Sequence, residues 1–304
     1  MSVLLDPTIL ASIKDLSLAA RMTIDGFMTG LHQSRVKGPG LEFSQYRSYQ
    51  PGDDLRWLDW KMYARSDRYY IRESEIETSI SVRFILDASR SMDHSDGTRS
   101  MDHPDGTLSK IQYARYLAAC LGYLAYLQGD AIGLSVVSGE AIQNLSSRRD
   151  AAQLSRFIYQ LEHAQPSGRF PNRTLFADEA APKKSLFVFI SDLYEHQGEI
   201  TRLLETLSAL GNEVIVLHLM GAGELDMDFG AYTTLEDLET GERLPFHPRD
   251  QAETYRLNLE THLGTLRTRL HEKRIAYHLL TLRQAPAEAL RAVLRARAQM
   301  DRKT

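Results

Sequence analysis

The chain has 304 residues, of which 43% are hydrophobic and 25% charged, enough for a substantial core and too apolar for a disordered protein. Its 36 basic and 40 acidic side chains give a formal charge of −4, so no overall field draws it to nucleic acid or to an anionic membrane. A single cysteine, Cys120, excludes an internal disulfide, and its place in an apolar run reads as packing, in keeping with a reducing cytoplasm.

The opening residues bring in Asp6, Lys14 and Asp15 too early for a secretory signal, so a cytoplasmic location is expected. An amphipathic helix is expected over 7–32. It is followed by a turn-rich, aromatic stretch (Tyr46, Tyr49, Trp57, Trp60, Tyr63, Tyr69, Tyr70) that reads as a small β-rich attachment with its own core. Arg47, Asp53, Asp54, Arg56 and Trp60 read as an ion-pair and turn network fixing that attachment rather than as a binding site. The expected division is 1–80 for the helix and attachment, and 81–304 for the main domain.

From about residue 80, short aliphatic runs alternate with stretches of helical spacing, the pattern of an α/β fold with a mostly parallel sheet and flanking helices. Expected strands are 82–87, 131–137, 185–191, 213–219 and 275–282, each nearly continuous in apolar residues, as strands covered on both faces should be. The clearest helix is 109–128, with Ile111, Ala114, Leu117, Leu121, Leu124 and Ala125 on one stripe and Gly129 as its stop. Its apolar run, 117–127, is far short of the ~20 residues that cross a bilayer, so no membrane span is expected. A second helix is expected over 200–210, and a hairpin insertion at 232–245, turning at Thr240-Gly241. The segment 190–262 is strongly acidic and 265–304 basic. In the closing stretch Arg291, Arg295 and Arg302 alternate with Leu290, Val293 and Leu294 as an amphipathic helix with a solvated cationic face.

One internal repeat interrupts this order: SMDHSDGTR at 91–99 is followed at once by SMDHPDGTL at 100–108. It lacks the ligand spacing of a calcium loop and reads as a solvated loop lengthened by duplication.

Chemistry concentrates just before it. FILDASRSM ends the first strand with Asp87, Ser89 and Ser91 at i, i+2 and i+4, where the exit loop can aim all three inward. SLFVFISD ends a later strand in Ser191-Asp192, which adds a second carboxylate if the two strands are sheet neighbours. In open α/β sheets ligands collect beyond the carboxyl ends of the strands. Hard oxygen donors of this kind suit magnesium, with manganese or calcium as alternatives. Two carboxylates neutralise a dication while leaving it attractive to a partner's acidic group.

DASRSM resembles the Asp-x-Ser-x-Ser metal-ion-dependent adhesion motif of von Willebrand A domains. The stretch GLEFSQYRSYQPGDDLRWLDWKMYARSDRYYIRESEIE, with ISDLYE, LEDLETGERL and YHLLTLRQAPAEALRAVLRAR in that order, is similar to the bacterial family called domain of unknown function 58. The resemblance spans roughly 30–297. It implies a von Willebrand A-like fold, a divalent metal held by Asp87, Ser89, Ser91, Thr174 and Asp192, and association with a MoxR-type AAA+ ATPase. Thr174 stands in FPNRTLFAD, where related sequences place a glycine before the threonine, so Ser167 in QPSGR is the competing hydroxyl. Ser191-Asp192-Leu193 stands where von Willebrand domains generally carry Thr-Asp-Gly. The expected role is a non-enzymatic adaptor whose metal accepts a carboxylate from the ATPase or a client protein. The alternatives are a metal-dependent hydrolase, against which no base or nucleophile stands close to the metal loops, and a structural interaction domain with an empty site.

Overall fold

The computed structural model describes Ile24 and residues 45–49, 60–73, 80–95, 108–172, 185–226, 234–245 and 248–300. The expected helix over 7–32, apart from the helical Ile24, lies outside these residues, as do Trp57, Thr174 and most of the duplicated loop.

The chain divides into two compact units, Arg35–Ser79 and Met1–Ser34 with Ile80–Thr304. In the smaller unit β1 (Gln45–Ser48) pairs antiparallel with β2 (Tyr70–Glu73), and α1 (Trp60–Ser66) lies between them in sequence. The tyrosines pack on one another: Tyr63 stacks on Tyr69 at 4.5 Å, and Tyr49 meets Tyr69 edge-on at 6.2 Å. Trp60 is exposed at the start of α1 and meets Tyr63 edge-on at 6.2 Å, while Asp53, Asp54 and Arg56 of the expected network lie outside the described residues.

The larger unit is built on a six-stranded sheet. Its strands are β3 (Ser81–Asp87), β4 (Ala131–Ser138), β5 (Ala141–Arg148), β6 (Ser185–Ser191), β7 (Glu213–Met220) and β10 (Ala276–Thr281), in the spatial order β10-β7-β6-β3-β4-β5. All neighbours run parallel except β4 and β5. In chain order along the sheet this reads 3-2-1-4-5-6 with an antiparallel edge, the arrangement implied by the resemblance to von Willebrand A domains. All five expected strands form, because β-branched and aromatic side chains fill both faces of a covered strand. The antiparallel β5 escapes the apolar criterion, since it lies at the sheet edge with most of its side chains toward solvent.

Helix α2 (Lys110–Leu127) starts in a capping box: the Ser109 hydroxyl accepts from Gln112 N, while Gln112 Oε1 accepts from Ser109 N at 2.9 Å. It is buried beyond its expected stripe, because α3 (Gln153–Glu162) and α7 (Pro286–Met300) also pack on it. Gly122 allows the approach of α3, since a Cβ there would come within 2.5 Å of the Phe157 ring. Cys120 sits buried in this layer. The opposite face is covered by α4 (Glu199–Ala209), whose Ile200, Leu203, Leu204 and Leu207 pack with Phe187, Phe189 and Val216. The short α5 (Ala222–Asp226) follows β7, and the hairpin β8 (Thr234–Glu236) and β9 (Arg243–Pro245) forms inside the expected insertion. A long helix α6 (Pro248–Glu272) precedes β10. No helix among the described residues is long and apolar enough to cross a membrane.

Candidate metal centre

The site lies where β3, β6 and β7 end. Strands β3 and β6 are parallel neighbours with Leu86 opposite Ile190, which brings Asp87 level with Ser191 and sets Asp192 one residue beyond. The condition for pairing the two carboxylates is therefore met. Ser191 Oγ donates to Asp87 Oδ2 at 2.6 Å, and Ser89 N donates to Asp87 Oδ1 at 2.9 Å. The Ser89 and Ser91 hydroxyls lie 3.0 Å apart, and Ser91 Oγ donates to Asp192 Oδ1 at 3.2 Å. Asp87, Ser89, Ser91 and Asp192 thus form one connected, buried chain of oxygens. Thr174 falls outside the described residues, and the Ser167 hydroxyl lies 2.8 Å from that of Ser138.

Backbone contacts hold the first loop in place. Ser167 N donates to Ala88 O and Arg90 N to Gly168 O, both at 2.9 Å. Gly168 and Gly139, each with positive φ, meet so closely that a Cβ on Gly168 would lie 2.9 Å from the Gly139 Cα. The duplicated loop leaves and returns nearby, with Lys110 N donating to His94 O at 3.0 Å.

Three residues of the site were not legible in the sequence. The first is Lys110, whose Nζ lies 3.0 Å from Asp192 Oδ2 and 2.7 Å from Glu224 Oε1 with 3% of its side chain exposed. Its signal was a lysine at the first position of a helix, where the macrodipole favours an acidic side chain. The second is Glu224, held over the end of β7 by Gly221 N at 2.6 Å. The third is Glu239, at the turn of the β8–β9 hairpin. Its side chain is 1% exposed, Oε2 lies 3.2 Å from His196 Nε2, and Oε1 is buried without a hydrogen-bond partner.

The electrostatics follow from this arrangement. Burial pushes the Asp87 carboxyl up to about 7 and repulsion from Asp192 adds to the rise, against the hydrogen bonds from Ser191 and Ser89. Burial also opposes charge on Asp192, but the Lys110 ammonium outweighs it and holds that carboxyl below its ordinary value. Lys110 is raised above its ordinary value, because Asp192 and Glu224 overcome its own burial. Burial raises Glu239, the hydrogen bond with His196 pulls it down, and the Asp192 charge pushes it up again.

Asp192 and Glu224 set two carboxylates against the one ammonium of Lys110, and Asp87, raised to about 7, adds a further negative charge as it ionises, so the site has a local excess of negative charge. Among the described residues no three of His, Cys, Asp or Glu converge as metal ligands, so the donors on offer are the aspartates and the serine hydroxyls. This all-oxygen set fits a hard dication in kind and in charge, with the ammonium on Asp192 Oδ2 as its built-in competitor.

The residue after Asp192 is constrained. Leu193 takes φ 53, the left-handed region that glycine occupies freely, which accounts for the glycine general at this place in von Willebrand domains.

Among known proteins, the uncharacterized protein Rv1480 of Mycobacterium tuberculosis is 25% identical over 244 residues, spanning 78% of this chain and 73% of that one. Two solved structures align at lower identity. BatB from Bacteroides thetaiotaomicron is 16% identical with a TM-score of 0.43, covering 74% of this chain and 100% of that one. The SpRpn10 VWA domain is 10% identical with a TM-score of 0.35, covering 70% and 94%. The family model described as protein of unknown function DUF58 matches residues 45–265, most of the chain, and the protein belongs to that family.

Proposed function

We propose that this protein is a non-enzymatic, protein-binding adaptor that docks an acidic side chain of its partner through a divalent metal, most suitably Mg2+, at Asp87, Ser89, Ser91 and Asp192, with Thr174 as the further hydroxyl ligand. The observation that carries this reading is the convergence of Asp87, Ser89, Ser91 and Asp192 on one buried oxygen chain at the carboxyl ends of two adjacent parallel strands. The metal would offset the excess negative charge and present an open coordination position. Asp87 and Asp192 would anchor it, and the serine hydroxyls would complete and orient the donor set. The partner is a MoxR-type AAA+ ATPase or a client protein handled with it, a reading supported by the family resemblance; the cytoplasmic placing rests on the single cysteine, which fits a reducing compartment.

The hydrolytic alternative asks for a base beside the metal. His218, a buried imidazole close enough to feel the Asp192 charge, is bound through Nδ1 to the Tyr277 hydroxyl at 2.8 Å and held neutral by burial, which suits packing. Titration with Mg2+ and Mn2+ tests the metal: heat from wild type and none from Asp87→Ala supports the site, and no heat from either removes it. Capture of the ATPase from native lysate, with and without chelator and with an Asp87→Ala, Ser89→Ala variant, tests the docking. Capture that ignores both chelator and variant moves the partner to another surface.

A further inference from the structure

Among the described residues, the hairpin that carries Glu239 is held by polar contacts at its tip. Its strands are three residues each, and Arg243, Leu244 and Pro245 are all exposed. Asp237 organises the turn: its Oδ1 accepts from Glu239 N at 2.8 Å and Thr240 N at 3.1 Å, and Gly241 takes φ 72. Two residues from the loop just after Asp192 grip that tip. Tyr194 donates its hydroxyl to Asp237 Oδ2 at 2.7 Å, and His196 meets Glu239 Oε2 at 3.2 Å. The grip holds the buried Glu239 carboxylate beside the loop that follows Asp192, near enough for the Asp192 charge to act on it. A carboxylate oxygen that is buried, lacks a partner and sits beside like charge is costly unless a cation completes the arrangement.

We propose that the β8–β9 hairpin is a built-in occupant of the docking site: once a metal is bound, Glu239, held beside the loop that follows Asp192, would close onto the coordination position that an acidic side chain of a partner would fill, and the partner binds by displacing it. This deepens the docking reading above and rests on it. Displacement costs little at β9, whose three residues are all exposed. Its release is coupled to the metal loop, because Tyr194 and His196 follow directly on Asp192. Free protein is thereby kept from capturing stray carboxylates, and only a partner with further contacts outcompetes the tethered one.

The test uses the full chain, Mn2+ as the metal, and water-proton relaxation to read the water bound to it, with acetate as the carboxylate probe. Glu239→Gln keeps the shape of the side chain and removes its charge. The expected result is that Glu239→Gln binds Mn2+ about tenfold more weakly than wild type. Its bound ion should relax water more strongly, and acetate should suppress that gain at concentrations that leave wild type unchanged. Equal affinity, relaxation and acetate response in the two proteins would overturn the hairpin's role while the metal site stands. Binding of Mn2+ by wild type that Asp87→Ala does not weaken removes the docking reading and the hairpin proposal together.

Discussion

Lys110 and Asp192, 82 residues apart in sequence, meet at 3.0 Å in a buried ion pair that Glu224 shares from its other side. The ammonium therefore sits against a carboxylate that the metal reading also requires, and its removal separates the two roles of that carboxylate. Lys110→Met is expected to lower stability in chelator by about 3–5 kcal/mol, the usual cost of leaving a buried charge unpaired. The same variant should recover a larger share of its stability than wild type gains when Mg2+ is added, since the dication then replaces the lost positive charge. Thermal unfolding in chelator and in Mg2+ reads both effects. Equal Mg2+ gains in the two proteins would mean that lysine and metal do not share a site.

Leu193 sets backbone strain against packing. Its positive φ costs about 1–2 kcal/mol, which glycine would relieve. Its side chain, 8% exposed, packs in the cluster of Phe170, Phe189 and Ile200, and losing a buried leucine costs about 2–5 kcal/mol. Lost packing outweighs the relieved strain, so Leu193→Gly is expected to destabilise by about 1–3 kcal/mol in denaturant titration. A stabilised variant would show that the backbone outweighs the burial here.

Gly168 acts on the site through its neighbour Gly139. Alanine at 168 would combine a left-handed backbone with a Cβ 2.9 Å from the Gly139 Cα, so the 165–170 segment must shift. That segment hydrogen-bonds Ala88 and Arg90 on either side of Ser89. Gly168→Ala should lose about 2 kcal/mol of stability and also weaken Mn2+ binding. Gly211→Ala has the same sign of φ with open space around it, and should lose stability while leaving the metal affinity unchanged.

His218 gives a pH dependence of defined sign. Burial lowers its pKa from 6.5 to about 4 in the folded chain. A histidine depressed on folding contributes stability that is present above its unfolded pKa and is lost as pH falls through the folded one. Because the Asp87 carboxyl, raised to about 7, contributes in the opposite sense, the difference between wild type and His218→Gln isolates the imidazole. In chelator that difference should shrink by about 3 kcal/mol between pH 6.5 and 4. A constant difference would show that the imidazole accepts its proton without leaving the fold.

The sequence by itself determined the strands whose composition suits burial on both faces, such as Ser81–Asp87 and Ser185–Ser191. It determined the start of α2 through Ser109 and Gln112, and the clustering of Asp87, Ser89 and Ser91 on a single loop, because each of these depends on side chains within a few residues of one another. The edge strand Ala141–Arg148 was legible only from its antiparallel pairing with β4, since a strand with one open edge and exposed side chains carries no apolar run. Tertiary structure alone decided that Lys110, Glu224 and Glu239 gather around Asp192, from a helix start, the end of β7 and a hairpin turn. Their spacing in the chain bears no relation to their distance in space. What joins them is the order of the parallel strands, whose carboxyl ends place residues more than a hundred positions apart around one buried charge.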